Sequence, residues 1–123
     1  MASSIEYSNE RKLIFACSGS SDVGAIADGT ARKLAHGNFG KMTCLAGLAG
    51  RVPDVMDKIQ NAHKILVIDG CQQHCAAKCL IEAGIIHLKH LRLHDLGFMK
   101  DHCQVTDENI SSSAAIGAVL LFE

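Results

Sequence analysis

The sequence predicts an α/β fold: a three-layer, doubly wound domain with helices on both faces of a four-stranded, mostly parallel sheet. The main observation is that short apolar runs alternate with segments of helical periodicity, as in repeated strand–helix units. The clearest unit is residues 65–84, where the β-branched run 65–68 turns through Asp69-Gly70-Cys71 into a helix-period segment ending at Gly84. Such crossovers are right-handed and make the strands parallel. Compactness favours the strand order 2-1-3-4.

The first half of the chain follows a polar segment at 1–11, which we expect to be flexible, and supplies two strands. Ser21 or Asp22 can cap the first helix, and Gly37 can stop it. Pro53 suits the first turn of a second, short helix. The predicted order is strand 12–17, helix 23–36, strand 41–46, loop 47–51 and helix 53–61.

The second half repeats the strand–helix pattern. Polar residues in the fourth strand indicate that it lies at an edge of the sheet. Asp95-Leu96-Gly97 forms a turn, and residues 98–105 carry no pattern that predicts a structure. The predicted order is strand 65–69, helix 72–83, strand 85–93 and a helix from Thr106 or Asp107 to about residue 121. Together these elements make a single domain at 12–123.

Composition limits the classes of partner. The chain has 123 residues, 20% of them charged, and a net charge of −1, so neither nucleic acid nor a membrane surface has electrostatic support as a partner. We find no apolar run of the roughly 18 residues that a membrane span needs, and no pattern of a secretory signal. A cytoplasmic location is therefore expected, where thiols stay reduced. Six cysteines in such a chain indicate metal or redox use.

Four cysteines fall where parallel strands end. Cys17 and Cys44 lie at the ends of the first two strands, Cys71 follows the third, and Cys75 lies on the first turn of the next helix. Because parallel strands end at one edge of the sheet, about 4.8 Å apart, these sulfurs are expected to converge there. Four thiolates at ~2.3 Å are a standard ligand set for Zn²⁺. The simpler interpretation of a single free cysteine is a small buried hydrophobe, and we apply it to Cys79. Cys103 is interpreted as an incidental surface thiol.

The turn after the first strand has a second possible use. Small residues before a helix N-terminus offer N–H groups to an anion, here from Ser18, Gly19, Ser20 and Gly24. The same groups would lower the pKa of the Cys17 thiol and favour its thiolate. Helix capping explains the serines more simply, and no nucleotide-loop motif is present.

The remaining polar candidates receive simpler interpretations. Asp69 is expected to bond the backbone of its turn rather than to orient a thiol. His74 is expected to face solvent. His87, His90 and His94 follow the predicted edge strand, and a solvated face explains them without a metal.

Several of these segments together resemble the DGC-domain family of proposed zinc-binding proteins. The resemblance lies in Cys17-Ser18-Gly19, in Thr43-Cys44-Leu45-Ala46, and above all in Ile68-Asp69-Gly70-Cys71 with Cys75-Ala76-Ala77-Lys78. It covers about residues 12–97, including the turn at 95–97. It implies metal chelation by Cys17, Cys44, Cys71 and Cys75, and it implies no particular reaction.

Three hypotheses of function follow. The first is a zinc-binding protein whose four-cysteine site has a structural, regulatory or metal-handling role, with the metal ion as its partner. The second is a thiol-dependent enzyme or redox protein, with Cys17 as the activated nucleophile and Cys71 or Cys75 as the resolving thiol. The third is an anion- or cofactor-binding module that uses the turn at 18–24. Protein partners and oligomeric state are not indicated by the sequence.

Overall fold

The computed structural model describes residues 11–123, so most of the segment predicted to be flexible lies outside the described residues. In this part of the chain four strands form one parallel sheet in the order β2-β1-β3-β4, and the predicted order and direction are confirmed. The strands are β1 (Lys12–Ala16), β2 (Lys41–Met42), β3 (Lys64–Asp69) and β4 (Lys89–Arg92).

Helices cover both faces of this sheet, as predicted. One core joins β1, β3 and β4 to α1 and α5, and a second core joins the opposite face of β1 and β3 to α2, α3 and α4. The helices are α1 (Asp22–His36), α2 (Leu45–Ala49), α3 (Pro53–Gln60), α4 (Cys75–Glu82) and α5 (Asp107–Phe122), and a 3-10 helix spans Leu93–Leu96. Between residues 11 and 123 no helix has the length and apolar character that crossing a membrane requires.

The predicted helix ends are largely confirmed. Ser21 caps α1 by accepting the N–H of Gly24 at 3.2 Å, and Gly37 is the C-cap. Thr106 caps α5 by accepting the N–H of Asn109 at 3.1 Å. The Ser21 and Thr106 side chains each satisfy a helix N–H group that has no partner within the helix.

The second strand and the loop after it differ from the prediction. β2 ends at Met42 rather than at residue 46, and residues predicted as strand end and loop form α2. Cys44 is the N-cap of α2, with its Sγ accepting the N–H of Gly47 at 3.3 Å. Leu45, from the predicted strand, and Leu48, from the predicted loop, lie on this helix and pack against the second core.

Two later elements are shorter than predicted. α4 begins at Cys75 and not at residue 72, because His74 has left-handed backbone angles (φ 54°) that interrupt the helix. β4 covers only Lys89–Arg92, since the chain then tightens into the 3-10 helix and ends it at Gly97 (φ 95°). The predicted turn at 95–97 is therefore confirmed as the end of this 3-10 helix.

The N-terminus of α1 anchors three loops. Asp22 accepts the N–H of Asp101 at 2.9 Å and of Cys103 at 3.2 Å, which places the segment that the sequence left unassigned. A Cβ atom on Gly24 would lie 2.5 Å from the Gly19 oxygen, and one on Gly70 would lie 2.7 Å from the Val23 backbone. The loops after β1 and β3 are thus held in backbone contact with α1.

Candidate thiol site at the carboxyl edge of the sheet

Cys17 continues β1 beyond its last residue. Its N–H donates to the Ile68 carbonyl at 3.0 Å, which keeps it in line with β3. The side chain is half-buried and packs against both cores. The backbone N–H groups of Gly19 and Gly70 donate to its sulfur.

The pKa of the Cys17 thiol is raised, opposite to the predicted direction. Burial is the largest cause, because it disfavours the thiolate. The N–H groups of Gly19 and Gly70 lower the pKa, but they do not offset burial together with the smaller electrostatic effects of Asp69 and Cys71. Cys17 is therefore mostly a thiol near neutral pH.

Cys44, Cys71 and Cys75 occupy the ends of different elements. Cys44 is exposed at the start of α2. Cys71 is half-buried in the loop after β3, close enough to Cys17 to affect its pKa. Cys75 begins α4 and is exposed, with its sulfur 3.9 Å from Gln73 Oε1. All four predicted ligands thus follow the carboxyl ends of strands.

The same four residues do not form a ready-made metal cage. Across residues 11–123, no three Cys, His, Asp or Glu side chains lie close enough together to hold a metal ion. Two pairs of cysteines lie near each other: Cys71 affects the pKa of Cys17, and Cys17 and Cys44 line one cleft. A four-thiolate site would require side chains to move, and the two exposed cysteines have room to do so.

A cleft of about 790 Å³ opens beside this edge, and we call it the thiol cleft. Cys79, which the sequence suggested was a core thiol, packs half-buried on the second core and also lines this cleft with Cys17 and Cys44. The remaining lining residues are Ala16, Ser18, Asp28, Arg32, Met42, Thr43, Leu45, Ala46 and Ala49.

Asp69 has a larger role than the turn contact predicted for it. It is 1% exposed, and its carboxylate accepts the N–H groups of Ala76 at 2.9 Å and Ala77 at 3.1 Å, at the start of α4. It also lies 2.8 Å from His90 Nε2. Burial alone would raise the pKa of Asp69, but the hydrogen bonds from His90 and the two N–H groups outweigh it and lower the pKa.

The prediction that a solvated face explains His90, and the expectation that His74 faces solvent, are both wrong. His90 is half-buried against Asp69, and the His74 ring meets the His90 ring edge-on at 5.0 Å. The alternation of side chains along a strand indicates this contact. His90 pairs with Val67, so His90 and Asp69 lie on the same face of the sheet. Finding it required the register between β3 and β4.

The anion-binding turn stays a prediction. Ser18 has left-handed backbone angles (φ 49°), and its hydroxyl donates to Asp28 at 2.9 Å. The N–H of Gly24 already has Ser21 as its partner, and the N–H of Gly19 bonds Cys17. An anion at this turn, which also includes Ser20, would compete with these internal partners.

Cys103 is half-buried and not an incidental surface thiol. It packs on the first core and bonds Asp22. Burial first, and then the Asp22 carboxylate, raises its pKa to about 11. This environment favours a neutral thiol and suits neither a metal ligand nor a nucleophile.

Comparison with known proteins identifies the family. The chain matches the model of the DGC domain over residues 13–116. It is 34% identical over 98 residues to the "Anaerobic and virulence modulator AnvM" of Pseudomonas aeruginosa, covering 77% of this chain and 75% of that relative. No solved structure matches the chain significantly. The family match spans most of the sheet and every cysteine discussed above, and the chain therefore belongs to the DGC domain family.

Proposed function

We propose that this protein is a zinc-binding protein with a regulatory role, and that Cys17, Cys44, Cys71 and Cys75 are the ligands. The observation that supports the proposal is that Cys17 and Cys71, which are 54 positions apart in the sequence, follow the carboxyl ends of the paired strands β1 and β3, with the Cys17 N–H bonded to the Ile68 carbonyl at 3.0 Å. Soft thiolate ligands select zinc and similar ions over hard cations such as magnesium.

The two half-buried cysteines and the two exposed cysteines would contribute differently to metal binding. Cys17 and Cys71 are half-buried and fixed by the close approach of their loops to α1, whereas Cys44 and Cys75 are exposed at helix starts. Because the four do not converge beforehand, metal binding would be coupled to rearrangement of the two exposed side chains. Four thiolates leave no open position for a water molecule, which supports a structural or regulatory role over hydrolysis.

The regulatory part of the proposal rests on the similarity to the Pseudomonas protein. The Pseudomonas protein carries the name of a modulator, and this chain shares 34% of its residues over 98 positions. We infer a similar role for this chain, exercised from the cytoplasm, where reducing conditions keep thiolate ligands available.

Metal analysis tests the proposal. Protein purified without a metal-affinity tag and with all thiols reduced is expected to carry about one zinc per chain. Cys71→Ser is expected to lose at least tenfold in zinc affinity, measured by competition with a chromophoric chelator. Cys103→Ser is the matched control and is expected to bind zinc as the unchanged protein does.

Cobalt substitution supplies a second readout. A thiolate-to-cobalt charge-transfer band should appear on adding Co²⁺ and should weaken in Cys17→Ser. Trace zinc in the fully reduced protein, or equal affinity in Cys71→Ser and Cys103→Ser, would contradict the proposal.

A thiol enzyme with Cys17 as the activated nucleophile has less support. Its thiol has a raised pKa, and a nucleophilic cysteine needs the thiolate. Selective alkylation of Cys17 at neutral pH in metal-free protein would favour this second function instead.

A further inference from the structure

The thiol cleft brings a further cysteine, Cys79, together with Cys17 and Cys44 of the proposed zinc site. Helix α2 packs on α4. This contact places Cys44, at the start of α2, and Cys79, within α4, on the same cleft as Cys17. Its volume of about 790 Å³ lies within the range of roughly 300–1,000 Å³ that small-molecule sites occupy. Cys79 has no part in the proposed zinc site.

The three thiols differ in access. Cys44 is exposed, whereas Cys17 and Cys79 are half-buried, Cys79 against the second core. In thiol–disulfide exchange the rate depends on thiolate fraction and on access to the attacked sulfur. Cys44 is therefore the most accessible thiol of the cleft, and Cys79 is a less accessible thiol that lines the same cleft.

The wall and rim of the cleft suit a small molecule with acidic groups. Arg32 has a side chain that is 64% exposed at the cleft, and its Nε donates to Asp28 at 2.7 Å, which leaves the Nη1 and Nη2 groups of the guanidinium for a second carboxylate. Asp28 is itself held by the Ser18 hydroxyl at 2.9 Å. The planar fork of N–H donors on a guanidinium matches the geometry of a carboxylate. Apolar side chains, Met42 and Leu45 among them, line the wall and suit the aliphatic part of such a molecule.

We propose that the thiol cleft is an exchange site for low-molecular-weight disulfides that carry carboxylates, with Cys44 as the attacking thiol and Cys79 as the resolving thiol. The Cys44 thiolate attacks one sulfur of the disulfide, forms a mixed disulfide and releases one thiolate. The Cys79 thiolate then attacks Cys44 Sγ, forms the Cys44–Cys79 bond and releases the second thiolate. The two cysteines lose two electrons, the small disulfide gains them, and the cysteine protons pass to the released thiolates.

This proposal stands apart from zinc binding. Cys44 is common to both, but Cys79 and Arg32 belong to the cleft only. The exchange is therefore measured on the reduced, metal-free full chain, where its failure says nothing about zinc affinity.

Glutathione disulfide is the probe, followed by intact-mass and peptide-level mass spectrometry. The unchanged protein is expected to gain a Cys44–Cys79 disulfide and to retain little glutathione. Cys79→Ser is expected to retain glutathione on Cys44. Cys44→Ser, whose hydroxyl can still accept the Gly47 N–H as an N-cap, is expected to consume the probe about tenfold more slowly.

Controls separate the cleft from general thiol reactivity. Cys103→Ser is expected to behave as the unchanged protein, and Cys79→Ala repeats the Cys79→Ser result without a polar group on the core. Equal glutathione retention with and without Cys79, or labelling of the exposed Cys75 as fast as Cys44, would overturn the proposal.

The charge preference has its own comparison. Arg32→Gln is expected to lower the rate of reaction with glutathione disulfide several-fold. The rate with cystamine, a disulfide without carboxylates, is expected to stay unchanged. An equal effect of Arg32→Gln on both probes would overturn the assignment of acidic disulfides as the substrate class.

Discussion

Asp69 Oδ2 and His90 Nε2 lie 2.8 Å apart and join the carboxyl end of β3 to β4. The same carboxylate receives the first two N–H groups of the α4 segment after Cys75, from Ala76 and Ala77. One buried side chain thus connects two strands and a helix. The loop with Cys71, and Cys75 at the start of α4, lie between these fixed points, so their positions depend on Asp69.

Replacing this carboxylate should destabilise the protein. In Asp69→Asn the amide NH₂ cannot accept the N–H groups that Asp69 Oδ2 now accepts, and Asp69 is 1% exposed. Leaving buried donors unpaired and removing a buried charge partner should cost about 2–4 kcal/mol in the free energy of unfolding. Urea denaturation measures this cost. The control is Asp95→Asn, which breaks the exposed Arg92–Asp95 pair and should cost less than about 1 kcal/mol. Equal costs for the two variants would contradict the role given to Asp69.

The Asp22 carboxylate should make stability depend on acid pH. Its pKa is lowered from 3.8 to about 2, with the Asp101 N–H as the largest cause and the Cys103 and Val23 N–H groups adding to it. A carboxyl with a lowered folded-state pKa stabilises the fold when ionised, so its contribution is present above about pH 4 and is lost as the pH falls toward 2. The stability difference between the unchanged protein and Asp22→Asn, followed by thermal unfolding, should therefore shrink over this window. A stability difference between the two proteins that is constant from pH 6 to pH 2 would contradict the role given to the Asp22 carboxylate.

Glycine is required where α1 meets the loop after β1. A Cβ atom at Gly24 would lie 2.5 Å from a backbone oxygen, whereas one at Gly19 would have nothing within 4 Å. Gly24→Ala should therefore lower the free energy of unfolding by about 1–3 kcal/mol, despite the better helix propensity of alanine. Gly19→Ala is the matched control and should change it by less than about 0.5 kcal/mol. Unfolding of the two variants by denaturant measures this difference. Similar transition midpoints would contradict the close contact at Gly24.

Cys103 should resist alkylation. Its pKa is raised to about 11 by burial and then by Asp22, so very little thiolate is present at neutral pH. Mass-spectrometric mapping after brief iodoacetamide treatment should show Cys103 labelled far more slowly than the exposed Cys44 and Cys75. Asp22→Asn should speed its labelling, because the negative charge beside the sulfur is gone. Rapid labelling of Cys103 in the unchanged protein would contradict this environment.

Hydrophobic periodicity was sufficient to predict the sheet as a whole. It did not predict where the second strand ends. β1 and β3 have apolar residues on both faces, as strands between two helical layers do, and this pattern predicted two buried strands, whereas their pairing was predicted from compactness alone. The run at 43–49 is apolar for a different reason. It contains a helix that is capped by a cysteine sulfur, and a cysteine cap is a weak sequence signal compared with serine or aspartate.

The site was predicted where it depends on strand ends and missed where it depends on register. The placement of Cys17 and Cys71 at adjacent strand ends follows from parallel pairing alone. The contact of His90 with Asp69 needs the exact offset between β3 and β4, and the anchoring of residues 101 and 103 needs contacts about 80 positions away in the chain. The raised pKa of Cys17 was missed because burial outweighs the two N–H groups, and burial depends on both cores.

The central position of β3 has a consequence for synthesis of the protein. β3 lies between β1 and β4, and Cys17 has its partner Cys71 only after β3 has paired with β1. A chain still emerging from the ribosome exposes Cys17 and Cys44 before residue 71 has been made. During that interval Cys17 lacks the packing against both cores that half-buries it in the finished fold, so its thiol is shielded only late in synthesis.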